Sequence, residues 1–205
     1  MKEKVILHEE TRDDFAAKMG MWLFIFTELL LFAGLFLVYS VYRFQYPKPF
    51  HQAALELNVT IGALNTVILL ISSMTVAMSL TALQKNNKKL ALTFLFITVF
   101  CALFFLFNKY IEWGTKFNEG LYPGSELMLK LERGHLLFFS LYFVLTGLHA
   151  LHIIIGMVIL LIAYFKIKKG TVHIGKYMLL ENGALYWHLV DLIWIFLFPL
   201  FYLIT

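Results

Sequence analysis

The chain has 205 residues, 60% hydrophobic and 17% aromatic against 15% charged, whereas a soluble domain carries roughly 45–50% apolar and about 25% charged residues; composition therefore excludes a sizeable soluble domain and leaves an integral membrane protein. Cys101 is the single cysteine, which excludes a disulfide framework or a thiolate metal site within one chain. The formal net charge of +4 sits at the ends of apolar runs rather than along one stripe, a pattern of membrane topology and not of nucleic-acid binding.

In chain order, the first 20 residues, MKEKVILHEETRDDFAAKMG, are polar and lack an apolar core followed by a small-residue cleavage site. The expectation is a short cytoplasmic tail. Five runs then reach the length needed to cross a hydrocarbon core of about 30 Å. Met21–Tyr42 carries one ionisable residue, Glu28; Val59–Gln84 and Leu90–Asn108 carry none; Leu136–Phe165 carries His149 and His152; Gly183–Thr205 carries His188 and Asp191. With interfacial ends included, the predicted spans are 20–42, 57–84, 89–111, 135–165 and 181–204, forming one all-α membrane domain over 1–205. The fourth run would make a helix of about 45 Å, so it must tilt or project. Tyr122–Ser125 reads YPGS, a turn in the connection before it.

Basic residues set the orientation. Lys2, Lys4, Arg12, Lys18, Lys85, Lys88, Lys89, Lys166, Lys168, Lys169 and Lys176 fall on one side, against Arg43, Lys48, Lys109, Lys116, Lys130 and Arg133 on the other. Eleven against six places the amino terminus in the cytoplasm and, after five crossings, the carboxyl terminus outside. Lys109 and Glu112 are assigned here to the outer connection.

Ionisable groups inside hydrocarbon need partners. His149 and His152, in TGLHALHIIIG, share one helix face. Haem ligation would pair one of them with His188, copper or zinc would need three or four such ligands, and a di-iron bundle needs Glu-x-x-His on two helices. The one Glu-x-x-His, Glu132–His135, contains a glycine and opens a span. Imidazoles hydrogen-bonded to neighbouring helices are the expected role instead. His188 and Asp191 are likewise one turn apart, and are read as fastening the last helix to its bundle rather than as a proton relay. Glu28 has no Lys or Arg at its depth, so its carboxyl is expected to be protonated or hydrogen-bonded within protein. Glu181 stands at the mouth of the last span. Asn65 and Thr66 can hydrogen-bond across an interface, while Gly62, Ala63, Ser72, Ser73, Ala77 and Ser79 allow close helix approach, as do Gly147 and Gly156. Trp22, Trp113, Tyr42, Tyr46 and Tyr110 suit interfacial anchors. Phosphate loops, nucleophile–base motifs and dinucleotide fingerprints are lacking, and five spans without inverted repeats argue against a small transporter.

KMGMWLFIFTELLLFAGLF (Lys18–Phe36), LNTVILLISSMTV (Leu64–Val76), TGLHALHIIIG (Thr146–Gly156) and ENGALYWHLVDLIWIFL (Glu181–Leu197) resemble subunit III of haem–copper oxidases, in that family's order. The resemblance implies an all-helical, non-catalytic subunit of an aa3-type cytochrome c oxidase. Such a subunit packs against subunit I, stabilises it and supports proton uptake. No cofactor is expected on this chain: haem and copper belong to partner subunits, and phospholipid is the expected small ligand. The implied partners are subunit I first, then subunits II and IV, membrane lipids and a larger respiratory assembly, in a bacterial cell membrane. Glu28 matches the family's carbodiimide-reactive intramembrane glutamate, linked to proton uptake. His149, His152, Glu181, His188 and Asp191 match that family's structural or lipid-proximal polar positions, and Asn65 and Thr66, read above as bonding across an interface, join them as helix-fastening residues. Longer members have seven helices against five here. Five-span relatives also serve quinol oxidases and accompany nitric oxide reductases, so those roles stand as alternatives.

Overall fold

The computed structural model describes the backbone of residues 2–173 and 175–204, and the side chains of the same ranges other than 2–14, 129 and 130. The side chains of Lys2, Lys4, Arg12 and Lys130, counted above for orientation, and Thr205 of the last predicted span lie outside the described residues.

Among the described residues seven helices follow one another: α1 (Lys2–Gln45), α2 (Pro47–Leu55), α3 (Val59–Gln84), α4 (Lys88–Asn118), α5 (Glu126–Lys130), α6 (Arg133–Lys169) and α7 (Met178–Tyr202). Five of them contain segments long and apolar enough to cross a membrane: Phe15–Gln45, Val59–Gln84, Lys88–Asn118, Arg133–Lys169 and Met178–Tyr202. The chain is thus a multi-pass all-α membrane protein.

Local chemistry sets the boundaries. Asn58 caps α3 by accepting from the Thr60 and Ile61 amides at 3.0 and 3.2 Å. The tight α3–α4 turn places Asn86 at φ +59°, a conformation Asn tolerates better than most residues. Asn87 then caps α4 through the Leu90 amide. Gly170, at φ +81°, ends α6 in the left-handed conformation, as helix C-termini favour. The YPGS segment closes the expected turn through a 3.2 Å bond from the Ser125 amide to the Tyr122 carbonyl. Ser125 then caps α5 at the Met128 amide.

Helix α7 is the hub and α1 the rim. The apolar window of α7 is 56% buried, that of α1 only 11%. α7 packs on α1, α2, α3 and α6, whereas among the described residues α1 touches only α2, α6 and α7. At the α6–α7 crossing Gly156 faces Trp187; a Cβ there would lie 2.8 Å from the indole, so the buried ring requires glycine beneath it.

Three boundaries differ from those expected. The amino-terminal segment is helical from Lys2, and residues 47–55 form a short helix with Phe50, Ala53 and Ala54 buried. Helix α4 runs ten residues past Asn108, carrying Lys109, Glu112 and Lys116 inside the bundle instead of into a connection. The reason is that these charges are satisfied internally, so they do not end the helix.

Candidate functional site

Glu28 of α1 meets His152 of α6. A 2.9 Å hydrogen bond joins Glu28 Oε2 and His152 Nε2, with Glu28 17% and His152 8% exposed. The other ring nitrogen, Nδ1, lies 2.7 Å from the Leu148 carbonyl. A carbonyl only accepts, so Nδ1 must carry a proton. The Nε2–Glu28 contact then holds one further proton, either on the carboxyl or as an imidazolium. Both arrangements leave the pair with no net charge, which is what a hydrocarbon environment favours. The sequence marks both residues but not their pairing, because they stand 124 positions apart.

His149 departs from expectation. It is fully buried and neither ring nitrogen has a hydrogen-bond partner. The ring instead packs edge-on against Phe105, centroids 5.6 Å apart, and lies tilted by 31° over Trp194 at 5.2 Å. It fastens α6 to α4 and α7 through ring contacts, not through a polar bond.

One buried polar cluster among the described residues was missed by sequence reasoning. Lys109 Nζ donates to Glu112 Oε2 at 3.1 Å, to Tyr142 Oη at 3.1 Å and to Tyr202 Oη at 2.8 Å, which satisfies all three ammonium protons. Both phenols donate to Glu112 Oε1, at 2.7 and 2.5 Å. Lys109 and Glu112 are 3% and 4% exposed, and the ammonium also lies 5.1 Å from the Trp194 ring centroid. Four side chains from α4, α6 and α7 therefore form one neutralised knot. The available signal was the Lys-x-x-Glu spacing of one helical turn, continuous with the third apolar run.

The remaining predicted positions are dispersed along the interfaces. His188 Nδ1 is 2.7 Å from Ser73 Oγ, joining α7 to α3. No bond joins His188 to Asp191, which is 3% exposed. Its carboxylate lies near Ser73 and Cys101 without a well-formed hydrogen bond to either oxygen. Cys101 is partly buried. Asn65 accepts from Asn108 at 2.8 Å across α3–α4. Thr66 accepts from the Trp194 indole at 3.0 Å, a second α3–α7 tie. Glu181 pairs with Lys18 at 2.8 Å, fixing the start of α7 to α1. Of the predicted anchors, Trp22 and Tyr110 are well exposed, whereas Trp113 packs on Phe143 at 5.6 Å. Among the described residues, no three of the His, Cys, Asp and Glu side chains converge as metal ligands. The arrangement can bind helices to one another and hold a proton at Glu28–His152.

Residues 8–205 match the family described as Cytochrome c oxidase subunit III. The chain is 32% identical over 194 residues to a "Heme-copper oxidase subunit I+III" of Aeropyrum pernix, spanning 91% of this chain and 22% of that one. It is 29% identical over 224 residues to a "Probable cytochrome c oxidase subunit 3" of Rickettsia conorii, spanning 99% and 73%. Against the "Cytochrome c oxidase subunit 3" of Rhipicephalus sanguineus, identity is 31% over 202 residues, spanning 90% and 69%.

Proposed function

The chain belongs to the cytochrome c oxidase subunit III family, and from that premise we propose that it serves a respiratory haem–copper oxidase as a non-catalytic membrane subunit. The match across residues 8–205 carries this reading. The Aeropyrum relative bears subunits I and III in one name, which supports subunit I as the main contact of this chain. Subunits II and IV, and a larger respiratory assembly, are further partners in the proposal. Haem and copper reside on those partners and none on this chain; lipids cover its membrane face. The Rickettsia relatives support a bacterial cell membrane. An amino terminus in the cytoplasm follows from the lysine distribution, to which the internal position of Lys109 adds weight. Cysteines introduced for Lys89 and Pro123, labelled by an impermeant maleimide in intact cells, test that: only the second should react.

Within such an assembly the residues act as fasteners, and Glu28–His152 holds a proton within the membrane that supports uptake by the catalytic subunit. Purifying a tagged chain in mild detergent tests the subunit reading. Haem-bearing partners should co-purify and oxidise cytochrome c. A stoichiometric Soret band from the chain alone, or purification with no haem protein, overturns it. The name "Heme-copper oxidase" on the Aeropyrum relative specifies no donor, so quinol is the second donor to assay; quinol oxidation without cytochrome c oxidation would assign a quinol oxidase.

A further inference from the structure

Asp191 lies midway along α7, about 20 Å from the residue that opens the helix, and is 3% exposed. Neither of its oxygens receives a hydrogen bond, because the donors around it are committed elsewhere. The indole N–H groups of Trp187 and Trp194, on the same face of α7, donate to Ser72 and Thr66. Lys109 spends its three ammonium protons in the knot. It also stands about 12 Å along α4 from Cys101, the residue that α4 places near Asp191. On the α6 side His149 is one ring further on, across Trp194, and from α3 the neighbour is the Ser73 hydroxyl. Among the described residues, then, no cation faces this carboxyl. As an ion it would be an uncompensated charge in hydrocarbon, which costs far more than the neutral acid.

Ser73 has a second contact. Its Oγ lies 2.7 Å from His188 Nδ1. His188 is half-buried, and its Nε2 reaches the surface of the bundle without a partner among the described residues. One hydroxyl thus stands between a buried acid and an imidazole that opens outward. A hydroxyl accepts and donates at once, and an imidazole can take a proton at one nitrogen while releasing one from the other. We propose that His188, Ser73 and Asp191 form a proton relay that loads and unloads a buried carboxylic acid at Asp191. On unloading, the Asp191 O–H breaks as a new O–H forms on Ser73 Oγ. The proton that Ser73 carried passes to His188 Nδ1, and the one on Nε2 leaves at the surface. One proton and no electron moves, and the reverse order reloads the acid. The bond that ties α7 to α3 is therefore also the inner gate of a proton site. This site stands apart from Glu28–His152, which joins α1 to α6, and depends on the membrane placement of the chain, not on which oxidase it serves.

Infrared spectroscopy of the protein purified in mild detergent, in whatever complex it forms, tests this through the C=O stretch of protonated carboxyl groups. Subtracting the Asp191→Asn spectrum from that of the wild type should leave one such band, while the contributions of Glu28 and of partner subunits cancel. Transfer to heavy water should shift the wild-type band. Ser73→Ala and His188→Leu should keep the band but shift it at least about 100-fold more slowly, the usual loss when a positioned proton carrier is removed. Ser73→Thr, which restores a hydroxyl, should return the faster rate. A role limited to fastening gives the opposite sign, because loosening α7 from α3 admits heavy water sooner. A difference spectrum without a protonated-carboxyl band overturns the proposal, as does exchange as fast as in the wild type in either Ser73→Ala or His188→Leu. Should Asp191→Asn fail to accumulate, Asp191→Glu takes its place: the band should then be displaced, and an undisplaced band overturns the assignment.

Discussion

At the residue scale, Glu28 and His152 act as a unit because the Leu148 carbonyl fixes the proton on His152 Nδ1, leaving one more between Nε2 and the carboxyl. Glu28→Gln replaces that group with an amide that still donates to Nε2, so packing should persist while the titratable proton disappears. The haem spectrum of the purified complex should be unchanged and the lifetime of turnover shortened. A lost or shifted Soret band in this variant would contradict the assignment. His152→Leu strands the carboxyl and should destabilise the bundle by about 1–3 kcal/mol, read as a lower thermal midpoint. His149 calls for the opposite expectation. Its nitrogens make no bonds, so its stabilising contribution is ring volume between Phe105 and Trp194. His149→Leu should stay within about 1.5 kcal/mol of the parent, whereas His149→Ala should cost about 2–4 kcal/mol through the cavity it leaves. Equal losses in the two variants would show that a polar contact matters instead. That these imidazoles have different roles was not legible in HALH. Spacing puts both on one face of α6, but the partner is contributed by α1 for one and by aromatic rings of α4 and α7 for the other.

At the element scale, the five crossing helices were legible because length and hydropathy dictate them; the asparagine caps that start α3 and α4 emerged only in the structure. Two further features were not legible. Helix α2 is only nine residues long, too short for hydropathy to separate it from a loop. The third apolar run was ended at Asn108, just before Lys109, although a charge ends a membrane helix only when nothing inside the protein neutralises it. The fastening of α7 was anticipated from His188 and Asp191, yet the bond runs from His188 to Ser73 of α3, with Thr66–Trp194 and Ser72–Trp187 beside it. A double-mutant cycle on Ser73→Ala and His188→Leu should give a coupling of about 0.5–1.7 kcal/mol, the range found for hydrogen bonds between membrane helices. The same cycle on His188→Leu and Asp191→Leu should show no hydrogen-bond coupling, since neither oxygen of Asp191 receives a bond. Thermal unfolding in detergent measures both, and a larger coupling for the second cycle would restore the His–Asp pair as the tie.

At the scale of the whole molecule, the Lys109 knot joins the ends of three helices that are far apart in sequence. Lys109 and Glu112 come from α4, Tyr142 from α6 and Tyr202 from the last turn of α7. Nearby, Tyr39 of α1 donates to the Leu200 carbonyl, next to Pro199, whose ring removes one helical N–H from the same end of α7. The carboxyl-terminal turn is therefore held from outside as well as by its own shortened ladder. Removing one charge of a buried pair leaves the other uncompensated and costs about 3–5 kcal/mol, whereas replacing both by apolar groups of similar volume is often close to neutral. Lys109→Met should then lower the thermal midpoint sharply and expose the end of α7 to proteolysis, because Glu112 would keep two phenol donors but lose its counter-charge. Lys109→Met combined with Glu112→Leu should recover much of that loss, though Tyr142 and Tyr202 would have lost their shared acceptor. Conversely, Tyr202→Phe should cost only about 1–3 kcal/mol, since the ion pair survives with two hydrogen bonds fewer. If the double variant were as unstable as the single one, the knot would be holding the helices by its directional bonds and not by charge balance.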